Sequence, residues 1–545
     1  MGALHTRLVC LSIVLATLAA APLGQRRQGD ASTVSVQLLA INDFHGALEP
    51  PAGAAGRVGA SPAGGAAYLA AHLKRAVADQ PHSLVVAAGD LVGASPLISA
   101  LFHDQPTIES MDAMGLAVAS VGNHEFDKGA RALLELQAKA RFQYLAANVV
   151  RTGTAPVETL FPATAVRNVG GVNIGFIGET LAGTARIVSP TGVRELAFLD
   201  EANAANAAAA ALTARGVHAI VLLVHQGGEQ AGGDDPNGCA NLRGGIVPVL
   251  GRLSPDIKVV ISGHTHRFYN CTFGGRTLTS AGSYGRGITR VQLTIDPAAD
   301  TIQSVAARNE IVTRDVVPDA AQVALIADYG ARSAPLANRV VGSVARDILR
   351  ASNRAGESAL GDVIADAQLA ATSAPGSGGA MVAFMNQGGI RTDILSGHAG
   401  GAHPGTVTYG QLFAVQPFSN RLSVLTLTGE AIRRVLEQQF STRVEGTQGI
   451  LQVSRGFSYR YRLRAPAGQH VEPESVTLDG RPVAPTAAVR VAVVDFLAAG
   501  GDGFTVFTEG RDHVDTGLDI DALEAYVRAH SPVESGARNR IVRTD

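Results

Sequence analysis

The chain has 545 residues, three to four times the length of a typical domain, so we expect at least two hydrophobic cores. Its 45 Lys and Arg nearly balance 47 Asp and Glu, and the formal net charge of −2 excludes a globally basic nucleic-acid binder and an acidic disordered tail protein. Apolar residues make up 46% of the chain and recur in runs between its 62 glycines, which indicates a loop-rich globular protein.

The N-terminus has the features of a secretory signal peptide, predicted over residues 1–24. Arg7 precedes an apolar run over residues 8–21, which is too short to span a bilayer, and polar sequence follows. We expect cleavage between Ala19 and Gly24. Because no later apolar stretch is long enough to span a membrane and the C-terminal residues are polar, the sequence predicts an exported protein without a membrane anchor, either periplasmic or extracellular.

Two cysteines remain beyond the predicted signal peptide, Cys239 and Cys271. An even pair in an oxidising compartment favours a disulfide over a metal or nucleophile role, and neither cysteine lies in a CxxC motif. The bridge would close a loop of about 33 residues and stabilise the fold by roughly 3–4 kcal/mol in the chain-entropy model.

Short apolar runs alternate with alanine-rich helical stretches from residue 33 to about residue 290. This alternation predicts an α/β layered sandwich. The runs, each a predicted strand, cover residues 34–41, 84–88, 117–121, 172–177, 219–224 and 258–261. A hairpin over 287–312 and a helix over 320–331 follow, and residues 333–335, Ser-Ala-Pro, are typical of a linker.

A second α/β region is predicted from residue 340 onwards. Its predicted helices lie near 358–372 and 429–440, and its predicted strands lie near 380–385, 421–427 and 489–494. Asp479-Gly480 favours a hairpin turn. We therefore expect a first domain over 31–312, a linker or hinge helix over 313–339, and a second domain over 340–545.

Each of five predicted strands in the first region leads into side chains that bind metal ions. The carboxyl ends of parallel strands gather at one edge of an α/β sheet, so we expect these side chains to lie close together. They are Asp43 and His45, Asp90, Asn123 and His124, His225, and His264 and His266. The last two are imidazoles two residues apart after a buried strand and can face two neighbouring ions. The histidines elsewhere in the chain stand in no such frame, and we interpret them as surface or packing residues.

The series Asn-Asp-x-His, Gly-Asp, Gly-Asn-His-Glu-x-Asp, His and Gly-His-x-His resembles that of the calcineurin-like metallophosphoesterases. From about residue 34 to about residue 507 the chain resembles the secreted bacterial 5′-nucleotidase/UDP-sugar hydrolase family. The resemblance implies a four-layer α/β/β/α N-terminal metallophosphoesterase sandwich that carries two metal ions. It also implies a C-terminal α/β domain that binds the nucleoside.

The resemblance also implies a ligand set for each ion, with Asp90 bridging the two. The residues implied for the first ion are Asp43, His45, Asp90 and His266, and those for the second are Asp90, Asn123, His225 and His264. Family members often have Gln where this chain has His266, so we expect the second imidazole to alter the metal preference. Two dications, two carboxylates and a bridging hydroxide leave a charge of about +1, which attracts a phosphate dianion. Mixed nitrogen and oxygen ligands suit Zn, Mn, Co or Fe and do not decide among them.

His124 and Asp127 are the catalytic pair that the resemblance implies. Asp127 can accept a hydrogen bond from His124 if a helical turn begins there, which holds the ring and favours imidazolium. In the family role, His124 stabilises the transition state and assists the leaving alkoxide, while two ions about 3.5–4 Å apart activate a bridging hydroxide for in-line attack. The alternative is that His124 only supports its neighbours.

Loops of the second region resemble the family's nucleoside site. Phe418 and Phe496 would sandwich the base, a contact worth roughly 1–3 kcal/mol, and Asp502 would accept hydrogen bonds from the ribose hydroxyls. Glycines in the Asn-Gln-Gly-Gly-Ile-Arg loop allow close backbone approach. The substrate-binding residues implied are Arg354, Asn386, Gly389, Arg391, Phe418, Phe496 and Asp502.

The sequence thus predicts an exported, monomeric phosphohydrolase that removes the 5′-phosphate of small nucleotides, with UDP-sugars as further candidate substrates and no nucleic-acid polymer as a partner. A 2′,3′-cyclic-nucleotide 2′-phosphodiesterase/3′-nucleotidase stays open, since Arg391, Phe418 and Phe496 suit either. A non-catalytic exported nucleotide-binding protein is the third hypothesis; the intact ligand set weighs against it, because unused ligands leave buried polar groups uncompensated. With metals in one domain and stacking rings in the other, we expect a hinge within residues 312–340.

Overall fold

The computed structural model describes residues 1–2, 33–231, 233, 235–397, 404–441 and 449–545. The predicted signal peptide over residues 1–24 lies outside the described residues except for its first two. Within the described part of the chain, no helix combines the length and the apolar character needed to cross a bilayer.

Two six-stranded sheets form the centre of the N-terminal region. The strands described there are β1 Val34–Ile41, β2 Arg57–Val58, β3 Ser61–Pro62, β4 Ser83–Ala88, β5 Leu116–Ser120, β6 Gln143–Leu145, β7 Val149–Arg151, β8 Thr164–Val169, β9 Val172–Thr180, β10 Leu196–Phe198, β11 Ala219–His225, β12 Ile257–Ser262, β13 Phe268–Phe273, β14 Arg276–Ala281, β15 Gly287–Asp296 and β16 Thr301–Ile311. The first sheet has the order β16-β15-β1-β4-β5-β6 and the second the order β13-β14-β12-β11-β9-β8. In each sheet the central strands are parallel, so their carboxyl ends share one edge.

The helices of this region cover the outer faces of the two sheets. They are α1 Ala66–Asp79, α2 Leu97–Ala100, α3 Gln105–Ala113, α4 Gly129–Gln137, α5 Thr184–Ile187, α6 Pro190–Val193, α7 Glu201–Ala214, α8 Ile246–Leu250 and α9 Ala320–Ala337. Strand alternation explains the layering, because successive side chains of a strand point to opposite faces. In β1, Leu38 packs between the sheets, whereas Leu39 packs in the core that contains residues of α1 and α3. The predicted four-layer α/β/β/α sandwich is therefore confirmed.

Helix α9 extends to residue 337 and includes residues 333–335, so the prediction of a linker there is wrong. Pro335 lies in the last turn, where its missing N–H deprives only one carbonyl of an intrahelical partner. The helix is anchored to α3, since the Gln322 amide donates to the Ser110 carbonyl and the Tyr329 hydroxyl donates to Glu109. These tertiary contacts outweigh the local tendency of Ser-Ala-Pro to end a helix.

The C-terminal region is a second α/β unit. Its described strands are β17 Val340–Ser343, β18 Val382–Met385, β19 Thr406–Thr408, β20 Arg421–Thr428, β21 Gln452–Val453, β22 Phe457–Tyr461, β23 Thr477–Leu478, β24 Arg481–Pro482, β25 Ala488–Val494, β26 Arg511–Leu518 and β27 Ile541–Arg543, and its helices are α10 Ala359–Thr372, α11 Tyr409–Val415, α12 Gly429–Ser441, α13 Asp495–Ala498 and α14 Asp519–Ala529. A mixed five-stranded sheet, β21-β18-β25-β20-β26, lies at its centre. The strands, helices and hairpin turn predicted for this region are all present within a few residues of the predicted bounds.

The predicted disulfide is also present. Cys239 and Cys271 are bonded, with their Cα atoms 5.2 Å apart. The bridge ties the loop after β11 to the edge strand β13. Asn237 adds a second attachment, because its side-chain amide donates to the Asn309 carbonyl and accepts from the Asn309 backbone N–H.

Candidate metal and nucleotide site

The side chains predicted to bind metal ions converge where the two sheets meet. Strands β1, β4 and β5 of the first sheet and β11 and β12 of the second end at the same place, and their following loops face each other. The structure brings together all seven predicted ligands: Asp43, His45, Asp90, Asn123, His225, His264 and His266. Most of these side chains are buried, so the cluster lies below the surface.

Five of these residues have a left-handed backbone. The φ angles are 49° for Asp43, 50° for His45, 51° for Asp90, 72° for His264 and 58° for His266. Such a backbone costs a non-glycine residue roughly 1–2 kcal/mol. At each of these positions the backbone turns sharply after a strand, and the side chain points into the cluster. Strain of this kind is typical of functional sites.

The first group of potential ligands consists of Asp43, His45 and His266. The Nε2 atoms of His45 and His266 are 3.0 Å apart, and the Nε2 atom of His266 is 3.3 Å from Asp43 Oδ1. Two imidazole nitrogens and a carboxylate oxygen directed at one point form a suitable donor set for a divalent transition metal. The Nδ1 atom of His45 faces the Gly93 carbonyl at 3.0 Å, which fixes the ring with Nε2 towards the cluster.

The second group consists of Asp90, His225 and His264, with Asn123 beside it. His225 Nε2 lies 2.9 Å from Asp90 Oδ2, but the angles between them are not those of a hydrogen bond. With one ligand atom from His264, these atoms lie within 4.8 Å of one another, which fits a bound cation. Asn123 Oδ1 is 3.1 Å from His264 Nδ1, and the Ala88 carbonyl holds His225 Nδ1 at 2.7 Å.

The acidic and basic side chains of this cluster are packed closely enough to shift each other's pKa values. Burial lowers the pKa of His225, but the charge of Asp90 and its contact raise it to about 10. Burial raises the pKa of Asp90, but the neighbouring histidines, above all His225, hold it well below its usual range. The nitrogen and oxygen donors of the cluster fit divalent metal ions. A bound cation would balance the negative charge of the carboxylates in place of the protons on the histidines.

His124 and Asp127 form the predicted pair. His124 opens a 3-10 turn over His124–Phe126, and its Nδ1 atom is 2.9 Å from Asp127 Oδ2. Burial lowers the pKa of His124, but the charges of Asp127 and Asp90 outweigh it and raise the pKa above its ordinary value. His124 also lies within reach of a third donor group, formed with His45 and Asp90.

Glu125 is a buried residue of the site to which the sequence analysis gave no role. Its carboxylate accepts hydrogen bonds from the backbone N–H groups of Asp90, Leu91 and Gly122, at 2.9, 2.7 and 2.6 Å. Burial and the charge of Asp90 raise its pKa to about 7. Glu125 thus ties the loop after β4 to the loop after β5. Its place in the Gly-Asn-His-Glu motif was the available signal.

Asn42 has a similar role on the other side of the cluster. Its Nδ2 donates to Asp43 Oδ2 at 2.7 Å and to the Gly282 carbonyl at 2.6 Å, and its Oδ1 accepts from the Ala281 N–H. These contacts orient the Asp43 carboxylate from a loop 240 residues away in the sequence.

A cavity of about 1100 Å³ lies between the N-terminal cluster and the loops of the C-terminal region. The predicted residues that line it from the N-terminal side are Asp90, Asn123, His124, Asp127, His264 and His266, and those from the C-terminal side are Asn386, Gly389, Arg391, Phe418, Phe496 and Asp502. Asp43, His45 and His225 lie behind this lining. The metal cluster and the predicted nucleoside loops therefore share one space.

Arg391 and Phe418 extend from the C-terminal region towards the metal cluster. The positive charge of Arg391 contributes to lowering the pKa of both His45 and His266, so the guanidinium faces the cluster. Phe418 lies beside Arg391, whose guanidinium carbon is 5.9 Å from the ring centroid. A phosphate between the cluster and Arg391 would thus have cations on two sides.

Phe496 lies in the short helix α13, directly after β25, and Asp502 lies in the turn that follows this helix. A side chain at Gly501 would come within 2.4 Å of the Phe496 ring, so only glycine allows the ring to pack against this turn. Burial raises the pKa of Asp502 to about 6, and the Asn386 side-chain amide donates to its carboxylate at 2.7 Å. Asn386 and Asp502 thus form a polar pair next to an aromatic ring.

Arg354 is the one predicted substrate residue that the structure does not place in the cavity, and the prediction for it is corrected here. Asn353 closes a tight turn by accepting from the N–H groups of Ala355 and Glu357, and this turn carries Arg354 outwards. The Arg354 guanidinium donates instead to the Asp545 carbonyl. Arg350 lines the cavity in its place and donates to two carbonyls of the Arg391 loop, at residues 390 and 391.

Two protein families match the chain, one for each region. Residues 36–268 match the calcineurin-like phosphoesterase family, and residues 337–509 match the 5′-nucleotidase C-terminal domain family. Together the two matches cover most of the sandwich, all seven residues of its metal cluster, and most of the region with the stacking rings.

Similar proteins match most of the chain. It is 31% identical over 528 residues to a cell wall protein of Listeria monocytogenes, covering 90% of this chain and 66% of that protein. It is 31% identical over 533 residues to an endonuclease of Bacillus subtilis, covering 93% of this chain and 40% of that protein. The chain therefore spans less than two thirds of the length of these relatives.

Among solved structures, a 5′-nucleotidase precursor from Thermus thermophilus has the same fold over its full length. It is 28% identical, with a TM-score of 0.78, and the match covers 94% of this chain and 100% of that one. The chain therefore combines an N-terminal domain of the calcineurin-like phosphoesterase family with a 5′-nucleotidase C-terminal domain, as the resemblance in its sequence implied.

Proposed function

We propose that the protein hydrolyses the 5′-phosphate ester of nucleotides with the aid of two divalent metal ions. The observation that carries this proposal is the shared cavity, which has potential metal ligands on one wall and two half-buried aromatic rings with a carboxylate on the other. A phosphate at the first wall and a nucleoside at the second would fill the cavity from end to end.

The two donor groups would hold one ion each, with Asp90 contributing to both. When bound, divalent ions polarise phosphoryl oxygens and lower the pKa of the attacking water. The nitrogen and oxygen donors suit Zn, Mn, Co or Fe. His45 and His266 give the first site two imidazole ligands, so we expect this site to prefer those of the four metals that bind nitrogen ligands more strongly.

His124 and Arg391 act on the phosphate from opposite domains. The Asp127 carboxylate holds the His124 ring with Nδ1 bonded, which leaves Nε2 to donate a proton to the leaving alkoxide. Arg391 supplies a positive charge for the phosphoryl oxygens as negative charge develops. Both groups lie on the cavity lining.

The nucleoside is bound by Phe418, Phe496 and Asp502. Stacking on two rings tolerates any base, whereas a carboxylate beside them accepts from ribose hydroxyls. We therefore propose that nucleoside 5′-monophosphates are the first substrates. The cavity exceeds the size of a monophosphate, so nucleotides with a further group on the phosphate, such as UDP-sugars, are proposed as additional substrates.

We also propose that the protein acts outside the cytoplasm. The disulfide supports this, since such bonds persist in oxidising compartments. The printed name of the Listeria relative, a cell wall protein, points the same way.

The test measures phosphate release from 5′-AMP and 3′-AMP, and it measures the conversion of 2′,3′-cyclic AMP to 3′-AMP, a ring opening that releases no phosphate. The protein is stripped with a chelator and then reloaded with Mn²⁺ or Zn²⁺ in steps. We expect 5′-AMP to be the fastest substrate and activity to saturate at two ions per chain. His225→Ala should abolish turnover and lower the bound metal, whereas His72→Gln, outside the cluster, should change neither.

Three results would contradict this proposal. Faster turnover of 3′-AMP or the cyclic nucleotide would assign the protein to the alternative phosphodiesterase reaction. Nucleotide binding without turnover at full metal loading would make it a binding protein. Saturation at one ion would rule out a dinuclear centre.

A further inference from the structure

The residues adjacent in sequence to the two proposed stacking rings are candidates for contacts with the edge of a bound base. Asp495 directly precedes Phe496, and Ser419 and Asn420 directly follow Phe418. All three line the cavity. A base held between two rings presents its hydrogen-bonding groups in its own plane, so its edge must be read by residues that flank the rings.

The Asp495 carboxylate can accept hydrogen bonds from a ligand at this edge. Its Oδ1 accepts from the Phe496 backbone N–H at 2.9 Å, which orients the carboxylate beside the ring, and the Arg421 backbone N–H also interacts with the carboxylate. Since a carboxylate has about four lone-pair sites, these two donors leave room for a ligand, and the residue is exposed at the cavity.

The charged groups of neighbouring elements do not occupy this carboxylate. Those that face Asp495 are Asp515, Arg421 and the buried Asp519. The Arg421 guanidinium donates to the Thr516 carbonyl and does not line the cavity. A ligand at the slot therefore meets the Asp495 carboxylate before any of these groups.

Asn420 presents a second acceptor with a fixed orientation. Its Nδ2 donates to Asp519 Oδ2 at 3.3 Å, and its backbone carbonyl accepts from the Asp519 N–H at 2.9 Å. The bond to Asp519 sets the direction of the amide and leaves its oxygen as an acceptor for a ligand. The charge of Asp495 contributes to raising the pKa of Asp519, so the two carboxylates and Asn420 lie close together.

An edge lined by acceptors distinguishes between nucleobases. Guanine presents two adjacent donors, the ring N1–H and the exocyclic amino group. Adenine presents an amino group next to a ring nitrogen that is itself an acceptor and would be unpaired or repelled beside a carboxylate. Because a hydrogen-bonding group left unpaired in a buried site is unfavourable, the two bases should bind with different affinities.

We propose that Asp495, supported by Asn420, selects nucleotides whose base presents two adjacent N–H donors, that is, guanine nucleotides. The proposal rests on the 5′-nucleotidase function proposed above and adds a substrate class to it. Asp495 is a specificity-determining residue under this proposal and takes no part in phosphoryl transfer.

The experiment compares kcat/KM for 5′-GMP, 5′-IMP and 5′-AMP in the metal-loaded protein and in Asp495→Asn. We expect the native protein to prefer 5′-GMP over 5′-AMP by about tenfold or more, with 5′-IMP between them because it keeps N1–H and lacks the amino group. Asparagine offers a donor as well as an acceptor, so in Asp495→Asn the GMP-to-AMP ratio should fall by about tenfold.

Two controls distinguish a loss of base recognition in Asp495→Asn from a general loss of structure. Hydrolysis of p-nitrophenyl phosphate, which has no base, should be equal in both proteins. Asp515→Asn, which alters a neighbouring carboxylate outside the cavity lining, should leave the GMP-to-AMP ratio unchanged. A native preference for 5′-AMP, or a ratio that stays within about twofold in Asp495→Asn, would overturn the proposal.

Calorimetric binding of guanosine and adenosine separates this proposal from the proposed function. Were no 5′-nucleotide hydrolysed, tighter binding of guanosine that is lost in Asp495→Asn would still support the reading of the base. Equal binding of the two nucleosides by the native protein would overturn it, whatever the activity.

Discussion

The Phe418 ring of the C-terminal region lies nearly parallel to the His124 imidazole of the N-terminal region, with centroids 5.8 Å apart and planes inclined by 17°. This contact joins the proposed base slot to the proposed proton donor across the domain boundary. A nucleotide stacked on Phe418, as proposed, would therefore have its phosphoester close to His124. The two regions can be tested separately, since base stacking affects only substrates with a base.

Phe418→Leu is expected to lower kcat/KM for nucleoside monophosphates by about tenfold to a hundredfold, because one base–ring stack is worth roughly 1–3 kcal/mol. Hydrolysis of p-nitrophenyl phosphate should change by less than about twofold. Steady-state kinetics with both substrates provide the measurement. Phe440→Leu, which alters a ring stacked on His470 away from the cavity, is the matched control and should leave both rates unchanged. Equal losses for the two substrates would contradict a role for Phe418 in base binding.

His124→Gln is expected to lower kcat by about 10²- to 10⁴-fold, the usual effect of removing a general acid. Asp127→Asn should give a smaller loss, because the His124 ring remains but is held less firmly. Metal analysis of both variants should still find two ions per chain. Loss of an ion from His124→Gln would instead make His124 a ligand, as the group with His45 and Asp90 allows.

Glu125→Gln is expected to destabilise the protein by about 1–3 kcal/mol, because the new amide group would set a donor against backbone N–H groups that now bind a carboxylate. Bound metal should fall in parallel, since Glu125 positions the Asp90 loop. Denaturant unfolding and metal analysis test both effects. Glu135→Gln, an exposed change, should alter stability by less than about 0.5 kcal/mol. A stable Glu125→Gln protein with full metal content would show that these amide contacts are dispensable.

Nucleoside binding is expected to weaken as the pH falls through the pKa of Asp502. Burial raises that pKa to about 6 in the free protein, so the carboxylate is charged at about pH 7.5 and mostly protonated at about pH 5. A charged acceptor forms stronger hydrogen bonds with ribose hydroxyls than a neutral one. Inhibition by adenosine, which has no phosphate to titrate, should weaken several-fold between these two pH values. In Asp502→Asn the inhibition constant should be the same at both. A pH-independent constant in the native protein would exclude the assigned role of Asp502.

Much of the sheet architecture could be predicted because buried parallel strands appear in the sequence as apolar runs. The run at residues 219–224 is an example, since the strand it predicts ends on His225, inside the metal cluster. Within each sheet, the parallel arrangement of the strands predicts that their carboxyl ends share one edge, whereas the meeting of the two sheets at the metal cluster depends on how they pack. The resemblance supplied the division of these residues between two ions, and that division remains a prediction.

Other features depend on contacts between residues distant in sequence. Glu125 could not be given a role because its backbone partners at residues 90 and 91 lie more than 30 positions away. Arg354 and Arg350 lie four residues apart, and of the two it is Arg350 that lines the cavity, whereas Arg354, in the turn closed by Asn353, contacts Asp545. Helix α9 continues through Pro335 because its anchoring contacts lie on α3.

The left-handed backbone at Asp43, His45, Asp90, His264 and His266 separates folding from activity. Glycine adopts this conformation without strain, so a glycine at one of these positions would remove both the backbone cost and a buried ligand. That relief offsets part of the stability lost with the side chain's own contacts, such as the hydrogen bond that the Asp90 carboxylate accepts from the His124 N–H. Expression level, solubility and melting temperature would therefore understate the loss of function at these positions, and a metal or turnover assay would identify it.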